Sequence, residues 1–209
     1  MSVTLHYFDL YARGELIRMI LTHHGQEFVD HRVSYEEWST LNKTPLAEFG
    51  QLPVLEIDGL KLVESRSISR YLCQKFGYYP ADLTNIYWVE SLCDLKEDIF
   101  NSVAKVAWST DAEALEKVYR EDIPWWLEKI EARLVRNGGG DGWFVGESIT
   151  RADFEIFELI WDGILRPGLG DKFSYLLNAT PKLDSFIKRF IENSLRIKEY
   201  LDSRPSCTL

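Results

Sequence analysis

The chain has 209 residues, of which 45% are hydrophobic and 27% charged, a composition typical of a globular protein with one large or two small domains. Its net charge of −9 disfavours binding to nucleic acids or to an anionic membrane surface, because both require positive charge. The apolar runs are shorter than the roughly 20 residues of a membrane helix, and the first residues lack the pattern of a signal peptide. Three widely spaced cysteines without a C-x-x-C pair favour a reducing compartment, so we expect a cytoplasmic protein.

Residues 1–77 alternate short strand patterns with helical patterns. Strands are predicted over residues 3–8, 28–33, 53–57 and 60–63. The last two flank Asp58-Gly59, a dipeptide that predicts a β-hairpin. Apolar residues three and four apart predict helices over residues 15–24 and 65–76, with a shorter helical piece before the third strand. The order β-α-β, short helix, β-β-α predicts a thioredoxin-like α/β domain.

Strand signals stop after residue 77. Helical patterns continue over residues 85–108, 112–136, 181–193 and 195–201. Thr150 and Asp153 form a capping-box pattern that opens a further helix, and the glycines at 138–142 predict a loop before it. We therefore predict two domains, a thioredoxin-like domain over residues 1–77 and an all-α domain over residues 78–209.

Two features of the first domain indicate a ligand site. Tyr7 lies near the C-terminal end of the first strand, where side chains of α/β sheets face the ligand crevice, and Arg13 follows in the next loop. Leu52-Pro53 opens the third strand, and a cis peptide bond there would turn a backbone edge toward a peptide-like ligand. Each feature has an ordinary alternative, because a strand tyrosine can be half-buried packing and a proline can simply begin a strand.

Two weaker features belong to the same domain. Ser65 follows Glu64 at the start of a predicted helix and is a good N-cap, and free N–H groups at a helix start attract carboxylates or phosphates. Trp38 and Lys43 lie on the short helical piece. Alone, these residues are equally consistent with an ordinary cap, a packing aromatic and a solvated charge.

Together, these segments resemble the cytosolic glutathione S-transferases over nearly the whole chain. The resemblance is carried by residues 7–15, 49–59, 64–72 and 144–153, and by a tail at 200–205 that is similar to the sigma-type ending. The family uses Tyr, Ser or Cys as its catalytic residue, and Tyr7 with no cysteine before Cys73 indicates a Tyr-type member. The sigma class fits best, with the pi and alpha classes as alternatives. One departure is Tyr11, which stands where the family commonly has arginine.

The resemblance implies a transferase that binds glutathione as cosubstrate and activates its thiol. Tyr7 would donate a hydrogen bond that favours the thiolate, and Arg13 would add positive potential. Trp38, Lys43 and Gln51 would hold the glycyl end. The backbone of Leu52, before a cis Leu52-Pro53 bond, would hold the cysteinyl unit. Ser65 and its helix would receive the γ-glutamyl carboxylate, and Glu64, which replaces the common glutamine, would face the ammonium or be partly protonated.

The resemblance also implies a homodimer. An acidic residue of the neighbouring subunit would meet the γ-glutamyl ammonium, and Asp98 matches that position best, with Glu97 second. A small hydrophobic electrophile would bind between the domains, against Phe8, Trp108 and the residues near Leu209. We expect no metal, nucleic acid or membrane partner.

Two alternatives to conjugation stay open. Lens S-crystallins and proteins that sequester hydrophobic ligands resemble the same family but do little catalysis, because fold does not guarantee chemistry. The same thiolate could also serve the isomerisation of prostaglandin H to D or the reduction of lipid hydroperoxides.

Overall fold

The computed structural model describes residues 2–107, 111–165 and 174–207. The chain forms two compact units. The sheet unit comprises Met1–Gly77 together with Ser194–Leu209, and the helical unit comprises Tyr78–Asn193. The sequence-based ranges 1–77 and 78–209 place the tail in the second domain, whereas the structure groups it with the sheet unit.

The sheet unit has the predicted thioredoxin-like element order. Its elements are β1 (Thr4–Phe8), α1 (Ala12–His24), β2 (Val29–Val33), α2 (Tyr35–Leu41), β3 (Val54–Ile57), β4 (Leu60–Val63) and α3 (Ser65–Phe76). The strand order is β2-β1-β3-β4, with β1 parallel to β2 and antiparallel to β3. The hairpin around Asp58-Gly59 is confirmed, since β3 and β4 are antiparallel and pair Ile57 with Leu60. Helix α1 begins earlier than predicted, because residues 12–14 carry no apolar periodicity that could reveal it.

The two faces of β1 carry different neighbours. Leu5 and Tyr7 are buried, and Tyr7 packs against α1, which in turn packs on α3. His6 and Phe8 alternate with them and point to the other face, where Phe8 contacts α2. Fully buried residues of α1 such as Ile17 supply the core, each contributing about 1.5–3 kcal/mol. Helix α1 therefore rests directly behind Tyr7.

The tail of the sheet unit begins with a helix, α9 (Leu195–Ser203), that packs on α1. Ser194 caps it by accepting a hydrogen bond from the Ile197 amide at 3.3 Å. The periodic spacing of apolar residues over 195–201 predicts this helix. It does not predict that the helix packs on α1. The tail thus becomes part of the wall behind the first strand.

The helical unit contains no strand within its described residues. Its helices are α4 (Leu83–Ala107), α5 (Ala112–Lys117), α6 (Ile123–Arg136), α7 (Arg151–Glu158) and α8 (Pro181–Glu192), with short 3₁₀ turns at Gly138–Gly140 and Ser174–Ala179. The predicted helix over 112–136 is interrupted by a π-helical turn, Val118–Asp122, and α7 continues into a second one, Leu159–Ile164. The Tyr119 hydroxyl of the first π turn donates to the Gly163 carbonyl of the second at 2.7 Å. Trp108, the last residue of the predicted helix 85–108, lies outside the described residues.

The capping box at the start of α7 is confirmed. The Asp153 carboxylate accepts hydrogen bonds from the Thr150 amide at 2.7 Å, the Thr150 hydroxyl at 2.8 Å and the Phe144 amide at 2.8 Å. Burial raises the pKa of Asp153 to about 6 in spite of these bonds, because desolvation disfavours the charged form. Among the described helices, none has the length and apolar character needed to cross a membrane.

Candidate active site

Tyr7 is held on the central strand of the sheet by its close approach to α1. A Cβ atom added at Gly14 would lie 2.4 Å from Tyr7 Cδ1, so only glycine leaves room for the ring. The backbone N–H of Arg13 donates to Tyr7 Oη at 3.3 Å. Tyr7 retains 6% of its accessible surface. The phenol oxygen therefore lies at the first turn of a helix that is 13 residues long.

This position favours a negative charge on a group that Tyr7 contacts. The first turn of a helix carries partial positive charge, and a hydroxyl that accepts one hydrogen bond becomes a better donor in another. The sequence prediction gave Arg13 its role through the charge of the guanidinium. The hydrogen bond from Arg13 to Tyr7 Oη is donated by the main-chain N–H of Arg13.

The loop between β1 and α1 is bound to the tail, a feature that the sequence analysis missed. The Tyr11 hydroxyl donates to the Pro205 carbonyl at 2.8 Å, and the Arg204 guanidinium lies 4.1 Å from the centre of the Tyr11 ring. Tyr11 is the residue that replaces the common family arginine. This departure from the family pattern is the feature of the sequence that could have pointed to a special contact of Tyr11. In the structure that contact is with Pro205 of the tail.

Below this loop, the carboxylate of Glu15 is fully buried and accepts three hydrogen bonds. The donors are Arg204 Nη1 at 2.5 Å, the Tyr200 hydroxyl at 2.7 Å and Arg18 Nη1 at 3.1 Å. Burial, and secondly the charge of Glu15, raise the pKa of Tyr200. We call Glu15, Arg18, Tyr200 and Arg204 the tail clamp. It ties α1 to residues far along the chain.

The tail clamp reaches both the sheet and Tyr7 through Arg18. Its guanidinium donates to Asp30 Oδ1 at 2.9 Å and to the Leu10 carbonyl at 2.8 Å, and its Cζ atom lies 5.8 Å from the centre of the Tyr7 ring. Arg18 itself is completely buried. Arg18 is thus a cation close to the Tyr7 ring that sequence reasoning did not identify.

Leu52 and Pro53 lie at the same end of the sheet as Tyr7. Their peptide bond is cis, as the resemblance implies. Val54 pairs with His6 in antiparallel register, so the residues before Val54 run beside the residues after His6. The start of β3 is therefore level with Tyr7 on the neighbouring strand.

Glu64 and Ser65 are brought to this end as well, but with a different capping arrangement. Helix α3 begins at Ser65, and Glu64 occupies the N-cap position with φ 67° and ψ 106°. The prediction of Ser65 as the N-cap is wrong by one residue, because Glu64 makes the turn from β4 into α3. A non-glycine residue at this φ costs about 1–3 kcal/mol. Val63 pairs with Val54, which places the start of α3 beside the start of β3.

Trp38 lies next to the end of β1 on the opposite face of the sheet. Its ring meets the Phe8 ring edge-on with centroids 6.0 Å apart, and Phe8 also stacks on Tyr35 at 5.1 Å. Lys43 was expected on the same helix, but α2 ends at Leu41 and Lys43 lies exposed in the following turn. Gln51 is also exposed.

The other predicted residues belong to the helical unit or fall outside the described residues. Asp98 is exposed on α4 of the helical unit, and so is Asp94 one turn before it. Glu97 accepts a hydrogen bond from Asn101 Nδ2 at 3.2 Å. Trp108 and Leu209, expected near the electrophile, lie outside the described residues. Among residues 2–107, 111–165 and 174–207, no three His, Cys, Asp or Glu side chains are grouped so as to hold a metal ion.

Comparison with known proteins agrees with this architecture. Residues 3–74 match the family "Glutathione S-transferase, N-terminal domain", and residues 97–204 match "Glutathione S-transferase, C-terminal domain". The chain is 34% identical to glutathione S-transferase 2 of Manduca sexta over 98% of this chain and 97% of the relative. It is also 34% identical to S-crystallin SL11 of Nototodarus sloanii over 97% of each. The crystal structure of monomeric Na-GST-3, a glutathione S-transferase of Necator americanus, superposes with a TM-score of 0.84 at 28% identity over 100% of both chains.

Proposed function

Because the chain belongs to the glutathione S-transferase family, we propose that it uses Tyr7 to ionise the thiol of glutathione for attack on small hydrophobic electrophiles. The observation that carries this proposal is the contact between the Arg13 amide and Tyr7 Oη at the first turn of α1. It fixes the phenol oxygen beside a source of positive potential.

The chemistry needs no nucleophile from the protein. A free thiol has a pKa of about 8.5, so only a few per cent is thiolate at pH 7. A hydrogen bond from the neutral Tyr7 phenol favours the charged sulfur and lowers the thiol pKa. A lowering of about two pH units corresponds to roughly 2.7 kcal/mol. The thiol proton leaves to solvent, and the thiolate then forms a C–S bond as the leaving group of the electrophile departs.

The tripeptide is assigned to the end of the sheet unit where the predicted residues meet. Leu52 and Pro53 open β3, and Ser65 opens α3 beside them, so a backbone edge and a helix N-terminus are close together. We assign the cysteinyl unit to the Leu52 backbone and the γ-glutamyl carboxylate to Ser65. We assign the glycyl end to Trp38, Lys43 and Gln51, and the γ-glutamyl ammonium to Glu64.

We further propose a homodimer of the sigma class. On α4, Leu83 retains 84% and Tyr87 62% of their accessible surface, and Tyr87 shares one helical face with the exposed Asp94 and Asp98. An apolar pair next to carboxylates fits an interface from which Asp98 reaches a neighbouring site. Sedimentation equilibrium is expected to give twice the chain mass of 24.3 kDa. A monomer, as in the hookworm relative, would contradict this part of the proposal.

The competing function is that of a structural or binding protein, which the S-crystallin relative supports. The test is to titrate the protein with glutathione and to follow thiolate absorbance against pH. We expect half-ionisation of the bound thiol about two pH units below that of free glutathione. Retention on glutathione resin without thiolate formation would favour the competing function. Turnover of prostaglandin H or of lipid hydroperoxides is a further prediction, which rests on the same thiolate.

A further inference from the structure

Two histidines on adjacent strands are joined to each other and to two carboxylates. His6 of β1 lies opposite His31 of β2, and their Nδ1 atoms are 2.8 Å apart. His6 Nε2 lies 2.8 Å from Glu56 Oε1 on β3, and His31 Nε2 lies 3.0 Å from Glu37 Oε1 on α2. We call Glu56, His6, His31 and Glu37 the histidine chain. It links three strands of the sheet to helix α2.

The protons of this chain can be counted. Each Nε2 faces a carboxylate, so each must carry a proton to form its hydrogen bond. A neutral imidazole has only one proton, which these two contacts already use. The contact between the two Nδ1 atoms needs one more, because two bare nitrogen lone pairs repel. With Glu56 and Glu37 ionised, three hydrogen bonds in this chain use three protons on two rings, which is one positive charge.

We propose that His6 and His31 share this single extra proton, and that the charged pair positions α2, and with it Trp38, for glutathione binding. The part about glutathione rests on the proposed function. Helix α2 has seven residues, none of them buried, and helices this short are marginal by themselves. Its position therefore depends on contacts with the sheet. Glu37, which forms the ion pair with His31, directly precedes Trp38. The ion pair therefore fixes the part of α2 that carries Trp38.

The histidine chain lies among charged groups of both signs. The charged groups on the elements around it are Glu36 and Glu37 on α2, Glu56 on β3, Lys61 opposite Glu56 on β4, and Asp30 and Arg32 beside His31 on β2. Asp30 and Arg32 alternate to the other face, where they bind each other at 2.9 Å. Lys61 is exposed and screened by water. The two carboxylates of the chain are thus the charges in direct contact with the rings.

The arrangement predicts that α2 is held best within a limited pH range. On acidification, a fourth proton would leave an N–H on both Nδ1 atoms, and the two N–H groups would repel. On alkalinisation, loss of the third proton would leave a lone pair on both Nδ1 atoms, and the two lone pairs would repel. Either change breaks the central contact of the histidine chain and, on the alkaline side, the charge that attracts Glu37. Affinity for glutathione should then fall on both sides of an optimum pH.

The first experiment uses the ligand-free protein and is independent of glutathione. Long-range ¹⁵N–¹H correlation spectra report which imidazole nitrogens carry protons. We expect protonated Nε2 on both His6 and His31, with one proton between the two Nδ1 atoms. Spectra at neutral pH in which each ring carries one proton only would overturn the proposal, whatever the protein binds.

The second experiment compares Glu37→Gln with Glu36→Gln, a matched control on the same helix. Because His31 and Glu37 are partly exposed, we expect Glu37→Gln to raise KM for glutathione about threefold at unchanged kcat, to flatten its pH dependence and to speed amide exchange in α2. Glu36→Gln should match the wild type. Equal amide exchange in both variants would overturn the proposal. If the wild type and both variants all fail to bind glutathione, the proposed function is refuted. The amide-exchange comparison would still test the histidine chain in that case.

Discussion

Replacing Tyr7 by phenylalanine is expected to return the thiol of bound glutathione to nearly its pKa in free solution. The variant keeps the ring that fits against Gly14, so the fold should be retained while the donor to sulfur is lost. If the wild type lowers the thiol pKa by about two units, the thiolate fraction at pH 6.5 falls roughly fiftyfold, and kcat/KM should fall in proportion. Thiolate absorbance against pH, with steady-state rates on a hydrophobic electrophile, measures both effects.

A matched control is Tyr35→Phe. Tyr35 lies in the same unit, retains 76% of its accessible surface and stacks on Phe8 through its ring, which the substitution preserves. Its titration curve should coincide with that of the wild type. Coincidence of the Tyr7→Phe curve with the wild type would remove Tyr7 from the mechanism.

Replacing Arg204 by methionine is expected to destabilise the sheet unit by about 2–3 kcal/mol. The substitution leaves the Glu15 carboxylate fully buried with one partner fewer, and breaking a buried ion pair typically costs about 3–5 kcal/mol. The expected value is lower than this range because Arg18 and Tyr200 still donate to Glu15. Urea unfolding, followed by circular dichroism, measures the change in the free energy of unfolding.

The control for this prediction is Arg196→Met, on helix α9, which Arg204 directly follows. Arg196 is exposed, so its replacement should change stability by less than about 0.5 kcal/mol. A double-mutant cycle with Glu15→Gln should show a coupling energy above about 0.5 kcal/mol, as expected for side chains in contact. Additive effects of the two substitutions would show that the tail clamp does not act as a unit.

The elements of the fold could be predicted because their signals are local. Helix α3 has the predicted bounds 65–76, since its apolar spacing and Gly77 are both visible in the sequence. Local signals fail where a turn departs from common chemistry. Glu64 takes a positive φ at which glycine is usual, and this moved the expected cap by one residue. The turn that carries Lys43 beyond α2 likewise has no strong stop signal.

The candidate site could be predicted only in part, for the same reason. Tyr7, Pro53 and Ser65 could be identified from sequence motifs. The strand register in the structure places them at one end of the sheet. No sequence motif predicts the contact between Glu15 and Arg204, because the two residues are 189 positions apart in the sequence. The contact between His6 and His31 is equally invisible, because register between parallel strands is not encoded locally.

The tail clamp also sets an order of events during synthesis. The ribosome makes β1 and α1 first, yet Arg204, the second cation that contacts Glu15, is added only after the whole helical unit has been translated. The helical unit is continuous in sequence and can complete its own contacts earlier, as domains generally do. Until the tail has been made, the Glu15 carboxylate on α1 has Arg18 as a partner but lacks Tyr200 and Arg204. The unit that contains the first residues to emerge can therefore complete the tail clamp only when the last segment of the chain has been made.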